Sequence, residues 1–104
     1  MQSQSLIDSY MDFDVIIPTH NRIDLLRRAI QSVLDQELAA HQVIVVDDGS
    51  TKDLSLARSW AEKHGCVWER LEVTQGPAAA RNIGVSLGAS EWVTFLDSDD
   101  IWHP

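Results

Sequence analysis

Asp97, Asp99 and Asp100 crowd into the stretch FLDSDDIW (95–102), directly after an apolar run. Like charges held that close repel one another, so the arrangement is unfavourable unless positive charge meets it. A second acidic stretch, DDGST (47–51), also follows an apolar run, and PTHNR (18–22) ends a third. Arg81 falls in the first turn of a predicted helix, where a cation opposes the helix dipole. Carboxylates, an arginine and a helix N-terminus together suit a divalent cation that carries a phosphorylated ligand. Oxygen-only ligands select Mg²⁺ or Mn²⁺ over zinc or copper. His41, His64 and His103 have no metal-ligand spacing with one another or with Cys66, which argues against zinc. An EF-hand fails as well, because Ile101 and the missing Gly and Glu break its pattern.

Each stretch also has a purely conformational explanation. DDGST is a common turn and helix start, DSDD could be a solvated N-cap cluster, and Arg81 a surface side chain. His20 reads as an exposed loop residue rather than a ligand.

The elements that must position these groups alternate between strand and helix. DVIIP (14–18) is a short apolar run stopped by Pro18, and the helix after it carries Leu26, Ala29, Ile30, Val33 and Leu34 at helical spacing, with Asn21 placed to cap. QVIVVDD (42–48) is apolar on both faces, which favours a parallel sheet covered by helices. STKD (50–53) fits a capping box for a second helix, with Leu54, Ala57 and Ala61 inward and Gly65 as its stop. CVWERLEV (66–73) is a third strand. A third helix has Pro77 at its first position, a stripe of Ala80, Ile83, Gly84 and Leu87, and Gly88 as its stop. EWVTFLD (91–97) is the fourth strand.

This pattern predicts an α/β fold, a doubly wound parallel sheet. Right-handed, short crossovers make its strand order 3-2-1-4. Ligands of such sheets sit outside the carboxyl ends of the strands, at the switch point between strands 1 and 4. PTHNR, DDGS and DSDD all follow strand ends, so they converge on that one edge.

The chain has 104 residues, enough for one domain with a modest core, and a net charge of −8 with no basic stripe to meet nucleic acid. Its single cysteine excludes an internal disulfide and fits a reducing compartment. No apolar run approaches the ~18 residues of a membrane span. Residues 1–12 have neither a basic start nor an apolar stretch, and read as a polar arm rather than a signal peptide.

VIIPTHNRIDLLRRAIQSVLDQ, VIVVDDGSTKD and GPAAARNIGVSLGASEWVTFLDSDD, in that order and spacing, resemble the N-terminal half of a glycosyltransferase family 2 enzyme. The resemblance runs from about residue 13 to the end. It implies a Rossmann-like half of a GT-A fold, over residues 13–104, that binds a nucleotide-diphosphate sugar, usually a UDP-sugar. DSD (97–99) matches the family's DXD motif, so Asp99, and Asp97 directly or through water, would hold Mg²⁺ or Mn²⁺ on the diphosphate. Pro18, Thr19, Asn21 and Arg22 match the first nucleotide loop, with Asp47, Asp48 and Ser98 as further nucleotide contacts. Asp48 is expected to read the edge of the base, and Arg81 matches an arginine expected near the phosphates.

The family's second half supplies the acceptor site and the general base of inverting transfer. None of the residues here matches that base, so the chain is expected to be a donor half, truncated after the DXD and inactive alone. The resemblance further implies a cytoplasmic enzyme, peripheral to the inner face of the membrane, that builds cell-envelope polysaccharide on an acceptor glycan or lipid-linked saccharide. Strand 4 would then be an unpaired edge, open to self-association. Two other classes remain: a receiver-type phosphoacceptor domain, suggested by the acidic pair of VIVVDD, and a non-catalytic nucleotide-binding module. In a receiver the acidic pair follows the first strand, whereas here it follows the second.

Overall fold

The structure is a computed structural model that describes residues 12–37 and 39–103. The polar arm expected at the N-terminus lies, in residues 1–11, outside the described residues. Four strands, β1 (Phe13–Thr19), β2 (Gln42–Asp48), β3 (Val67–Leu71) and β4 (Trp92–Phe95), alternate with three helices, α1 (Leu26–Leu34), α2 (Ser55–Lys63) and α3 (Pro77–Leu87). All strand pairs are parallel and the order is β3-β2-β1-β4, as the crossover rules require.

Successive side chains of a strand point to opposite faces, and here both faces are covered. Val15, Ile17, Val43 and Val45 pack with Leu26, Ala29, Ile30 and Val33 of α1 and Ala61 of α2. Ile16, Ile44 and Val46 pack on the other face with Ala80 of α3. The helix on that face lies close, since a β carbon on Gly84 would overlap the Ile16 side chain. Two sandwiched layers explain why the strands read as unbroken apolar runs.

Local reasoning fails at two of the three helix starts. Asn21 is not a cap: α1 begins at Leu26, with Leu25 at the N-cap and no side-chain cap bond. STKD is not a capping box either, because the Ser50 hydroxyl accepts the Asn21 N–H and α2 begins only at Ser55. Asp53 instead accepts the Ser55 N–H, which holds its carboxyl below the ordinary value. Leu87, expected on the buried stripe of α3, is 40% exposed. Pro77 at the start of α3 and Gly65 after α2, with a φ of 82°, stand as expected.

One buried carboxylate organises the amino-terminal edge of the sheet. Asp14 Oδ2 accepts the N–H groups of Ala89 (2.8 Å) and Ser90 (3.0 Å), and Oδ1 accepts the Ser90 hydroxyl (2.8 Å). Burial raises its pKa, but the Ser90 and Ala89 hydrogen bonds and the nearby His41 outweigh that and hold it below the usual 3.8. Gly88 is required beside it, since a β carbon there would overlap the carboxylate. Asp14 thus fixes the loop that delivers β4, and with it the acidic turn at the far end.

Candidate functional site at the carboxyl edge

The loops after β1, β2 and β4 meet the start of α3 around a cleft of about 390 Å³. The end of β1 contributes Pro18 and Thr19, the loop after it His20 and Arg22, and the end of β2 Asp48. Helix α3 supplies Pro77, Ala80 and Arg81, and the turn after β4 supplies Asp97, Ser98 and Asp99. The cleft lies where the order reverses between β1 and β4, the position such sheets use for ligands.

The acidic turn is anchored on both sides. Leu96 N–H donates to the Ile16 carbonyl, and Trp102 N–H donates to the Ser32 hydroxyl on α1. Between them Asp100 N–H closes a turn onto the Asp97 carbonyl at 3.0 Å. The repulsion implied by the sequence is met by two arginines: Arg81 donates to Asp97 Oδ1 at 3.2 Å, and Arg22 lies 3.6 Å from Asp99. Asp100 is not among the side chains lining the cleft.

Asp48 sits differently. It is 5% exposed, and its two carboxylate oxygens accept the N–H groups of Gln75 (2.7 Å) and Gly76 (3.0 Å), so it anchors the loop that opens α3. A carboxylate has about four acceptor positions, so the group still has capacity for a donor from a ligand. The Asp48 carbonyl accepts from His20 Nδ1 at 2.8 Å and from the Thr74 hydroxyl. A carbonyl only accepts, so His20 carries a proton on Nδ1, and its Nε2 faces the Asn21 amide nitrogen at 3.2 Å.

Asn21 and Asp47 are not part of the cleft lining. Asn21, at a φ of 56°, is a bracket: its N–H donates to Ser50, and its Oδ1 accepts the N–H groups of Thr51 (2.9 Å) and Lys52 (3.0 Å). It ties the β1 loop to the β2 loop. Asp47 is buried, accepts the Ser50 N–H, and borders a separate hollow of about 280 Å³ beside Trp68 and Arg70. Sequence reasoning set His20 aside, yet it lines the cleft; its place between Thr19 and Asn21 in a strand-end loop was the available signal.

Two features bear on what the cleft can hold. Thr19 lines the cleft, and its hydroxyl is buried with no hydrogen-bond partner among the described residues, a costly state that a ligand donor or acceptor would relieve. Among the described residues no three His, Cys, Asp or Glu side chains gather as a metal cage. Two aspartates alone suit Mg²⁺ or Mn²⁺, which use one or two carboxylates and keep places for water and phosphate. Cys66 is no part of this chemistry, since burial pushes its thiol up to about 11.

The family model for glycosyl transferase family 2 matches residues 14–104. The chain belongs to that family. This family 2 chain is 39% identical over 103 residues to an uncharacterized glycosyltransferase of Rickettsia felis, an alignment that covers 99% of the chain and 17% of that protein. It therefore spans about a sixth of the length of that relative. S. aureus TarS in complex with UDP superposes with a TM-score of 0.75 and 32% identity, over 88% of this chain and 28% of that one. The mannosyltransferase PcManGT from Pyrobaculum calidifontis, in complex with GDP-Man and Mn²⁺, gives a TM-score of 0.74 and 31% identity, over 86% and 28%. The fold is thus the Rossmann-like part of the GT-A architecture, and the receiver reading is set aside. No helix among the described residues is long and apolar enough to cross a membrane.

Proposed function

We propose that this family 2 chain binds the donor of a glycosyl transfer, a nucleotide-diphosphate sugar with uridine as its base. The observation that carries the reading is the convergence of Thr19, Arg22, Asp48, Arg81, Asp97 and Asp99, from four separate stretches of sequence, on one cleft. Asp97 and Asp99 would hold Mg²⁺ or Mn²⁺, and Ser98 and Pro18 line the cleft beside them. The cation, when bound, would act as a Lewis acid that stabilises charge on the diphosphate. Arg81 and Arg22 are placed to meet the phosphate oxygens, and the spare acceptor capacity of Asp48 to read the base. Thr19 would give its unpartnered hydroxyl to the nucleotide. Asn21 and Asp47 act behind these groups, shaping the loops that grip base and ribose.

In the whole enzyme, transfer would proceed by direct displacement at the anomeric carbon with inversion. An acceptor hydroxyl would be deprotonated by a base that matches no residue of this chain. We therefore propose that this chain holds the donor but transfers no hexose by itself. The acceptor we propose is a glycan or lipid-linked saccharide of the cell envelope, met by a cytoplasmic enzyme peripheral to the inner face of the membrane. Association of two copies through the β4 edge, where Trp92 is 59% and Phe95 43% exposed, belongs to the same proposal.

Thermal unfolding with UDP, GDP and ADP, each with and without Mn²⁺, tests the donor reading. UDP with Mn²⁺ should stabilise the chain by about 2.7 kcal/mol at a hundredfold excess over Kd. The absence of any shift with every nucleotide and metal pair would sink it, and a larger shift with GDP would move the base assignment.

A further inference from the structure

Arg22 and Arg81 neutralise the acidic turn from two different elements. Arg22 follows β1 and pairs with Asp99; Arg81 lies in α3 and pairs with Asp97. All four side chains are between 38% and 59% exposed, and ion pairs that wet are weak and exchange partners readily. Two guanidinium groups against two carboxylates leave no net charge among them.

A divalent cation entering alone would add two positive charges next to both arginines. A sugar-linked diphosphate entering alone would add two negative charges next to both aspartates. The pair together adds none. Resting on the donor reading above, we propose that Arg22 and Arg81 are place-holding cations. They occupy Asp99 and Asp97 while the cleft is free, and are released to the diphosphate once those carboxylates bind a divalent cation. The same two side chains then oppose the metal and favour the nucleotide. Metal and nucleotide bind as a couple because each removes the other's obstacle.

Loss of an arginine must therefore act with opposite signs on the two ligands. Arg22→Gln and Arg81→Gln should each bind Mn²⁺ alone about threefold more tightly than the parent, because a weak competing ion pair is gone. Each should bind UDP, at saturating Mg²⁺, about tenfold more weakly, since a hydrogen bond to a charged group is lost. Electron paramagnetic resonance of free Mn²⁺ during titration of the chain reads the first quantity, and calorimetry reads the second. Arg22→Lys and Arg81→Lys keep the charge and should retain the parent's Mn²⁺ affinity.

Mn²⁺ affinity in the Gln variants that is unchanged or lower, with UDP binding still weakened, overturns the exchange and leaves the donor reading standing. A rise in Mn²⁺ affinity as large in the Lys variants as in the Gln variants also overturns it, because charge would not be the cause. A parent chain that binds UDP under none of these conditions removes the donor reading and this inference together.

Discussion

Carboxylates at the two ends of this sheet live under opposite rules. Asp14, at the amino-terminal edge, is fully buried and satisfied by three donors from Ala89 and Ser90, all within the protein. Asp97 and Asp99, at the carboxyl edge, are about half exposed and rest against one arginine each. A buried carboxylate with a full set of donors has no reason to exchange them, and its removal strands the donors. An exposed carboxylate in a wet ion pair can trade partners at little cost. The first group holds architecture and the second is available for chemistry. Asp48 stands between them, buried yet facing the cleft, with backbone donors on both oxygens.

The largest expected effect breaks the amino-terminal edge. Asp14→Ala leaves two backbone N–H groups without partners and should destabilise the chain by about 3 kcal/mol, read as a lower midpoint in urea. Because the folded-state pKa of Asp14 is depressed, its contribution is full above the usual 3.8 and is lost as pH falls through the folded value. The stability gap between parent and Asp14→Ala should therefore narrow in acid. A gap that stays constant down to the lowest pH at which the chain folds would show that the charge of Asp14 is immaterial.

At the other edge, removing the charge of an aspartate should cost little stability. Asp99→Asn should leave the unliganded midpoint within about 0.5 kcal/mol of the parent, as exposed substitutions do. It should remove the Mn²⁺-dependent part of stabilisation by UDP, up to about 2.7 kcal/mol at a hundredfold excess over Kd. Equal metal-dependent shifts in the two chains would reduce the acidic turn to a solvated corner.

The intermediate group sharpens the contrast. Asp48→Ala should both weaken uridine nucleotides and loosen the loop before α3, at a cost of about 1–2 kcal/mol without ligand. Faster amide exchange at Gln75 and Gly76 should accompany it. If the nucleotide affinity falls while those amides stay protected, Asp48 acts on the ligand alone.

The smallest effect concerns the edges of the sheet in the other direction. The β3 edge carries Glu69 and Arg70, whereas β4 (WVTF) has no charge along its length. Charged side chains discourage strand addition, so association is expected at β4 and not at β3. Sedimentation at rising concentration should show weak dimers that Phe95→Lys abolishes. Dimers that persist in that variant would place the contact elsewhere.

Much of this was legible along the chain because it depends on neighbours in sequence. Apolar runs of strand length and the stripe of α1 need only local periodicity, and the strand order follows from chain handedness. The convergence of PTHNR, DDGS and DSDD follows from that topology, since each lies just past a strand end. What the sequence could not decide is which hydrogen bonds polar side chains make once the fold brings distant segments together. Asn21 and Ser50 have the right chemistry for caps, yet they bond each other across 29 positions. Asp48 finds Gln75 and Gly76, and Asp14 finds Ala89 and Ser90, from 27 to 76 positions away. A cap is a local alternative, and it loses when tertiary contact offers the same oxygen better-placed donors. The starts of α1 and α2 and the division of the aspartates into structural and exchangeable groups were therefore settled by the tertiary structure.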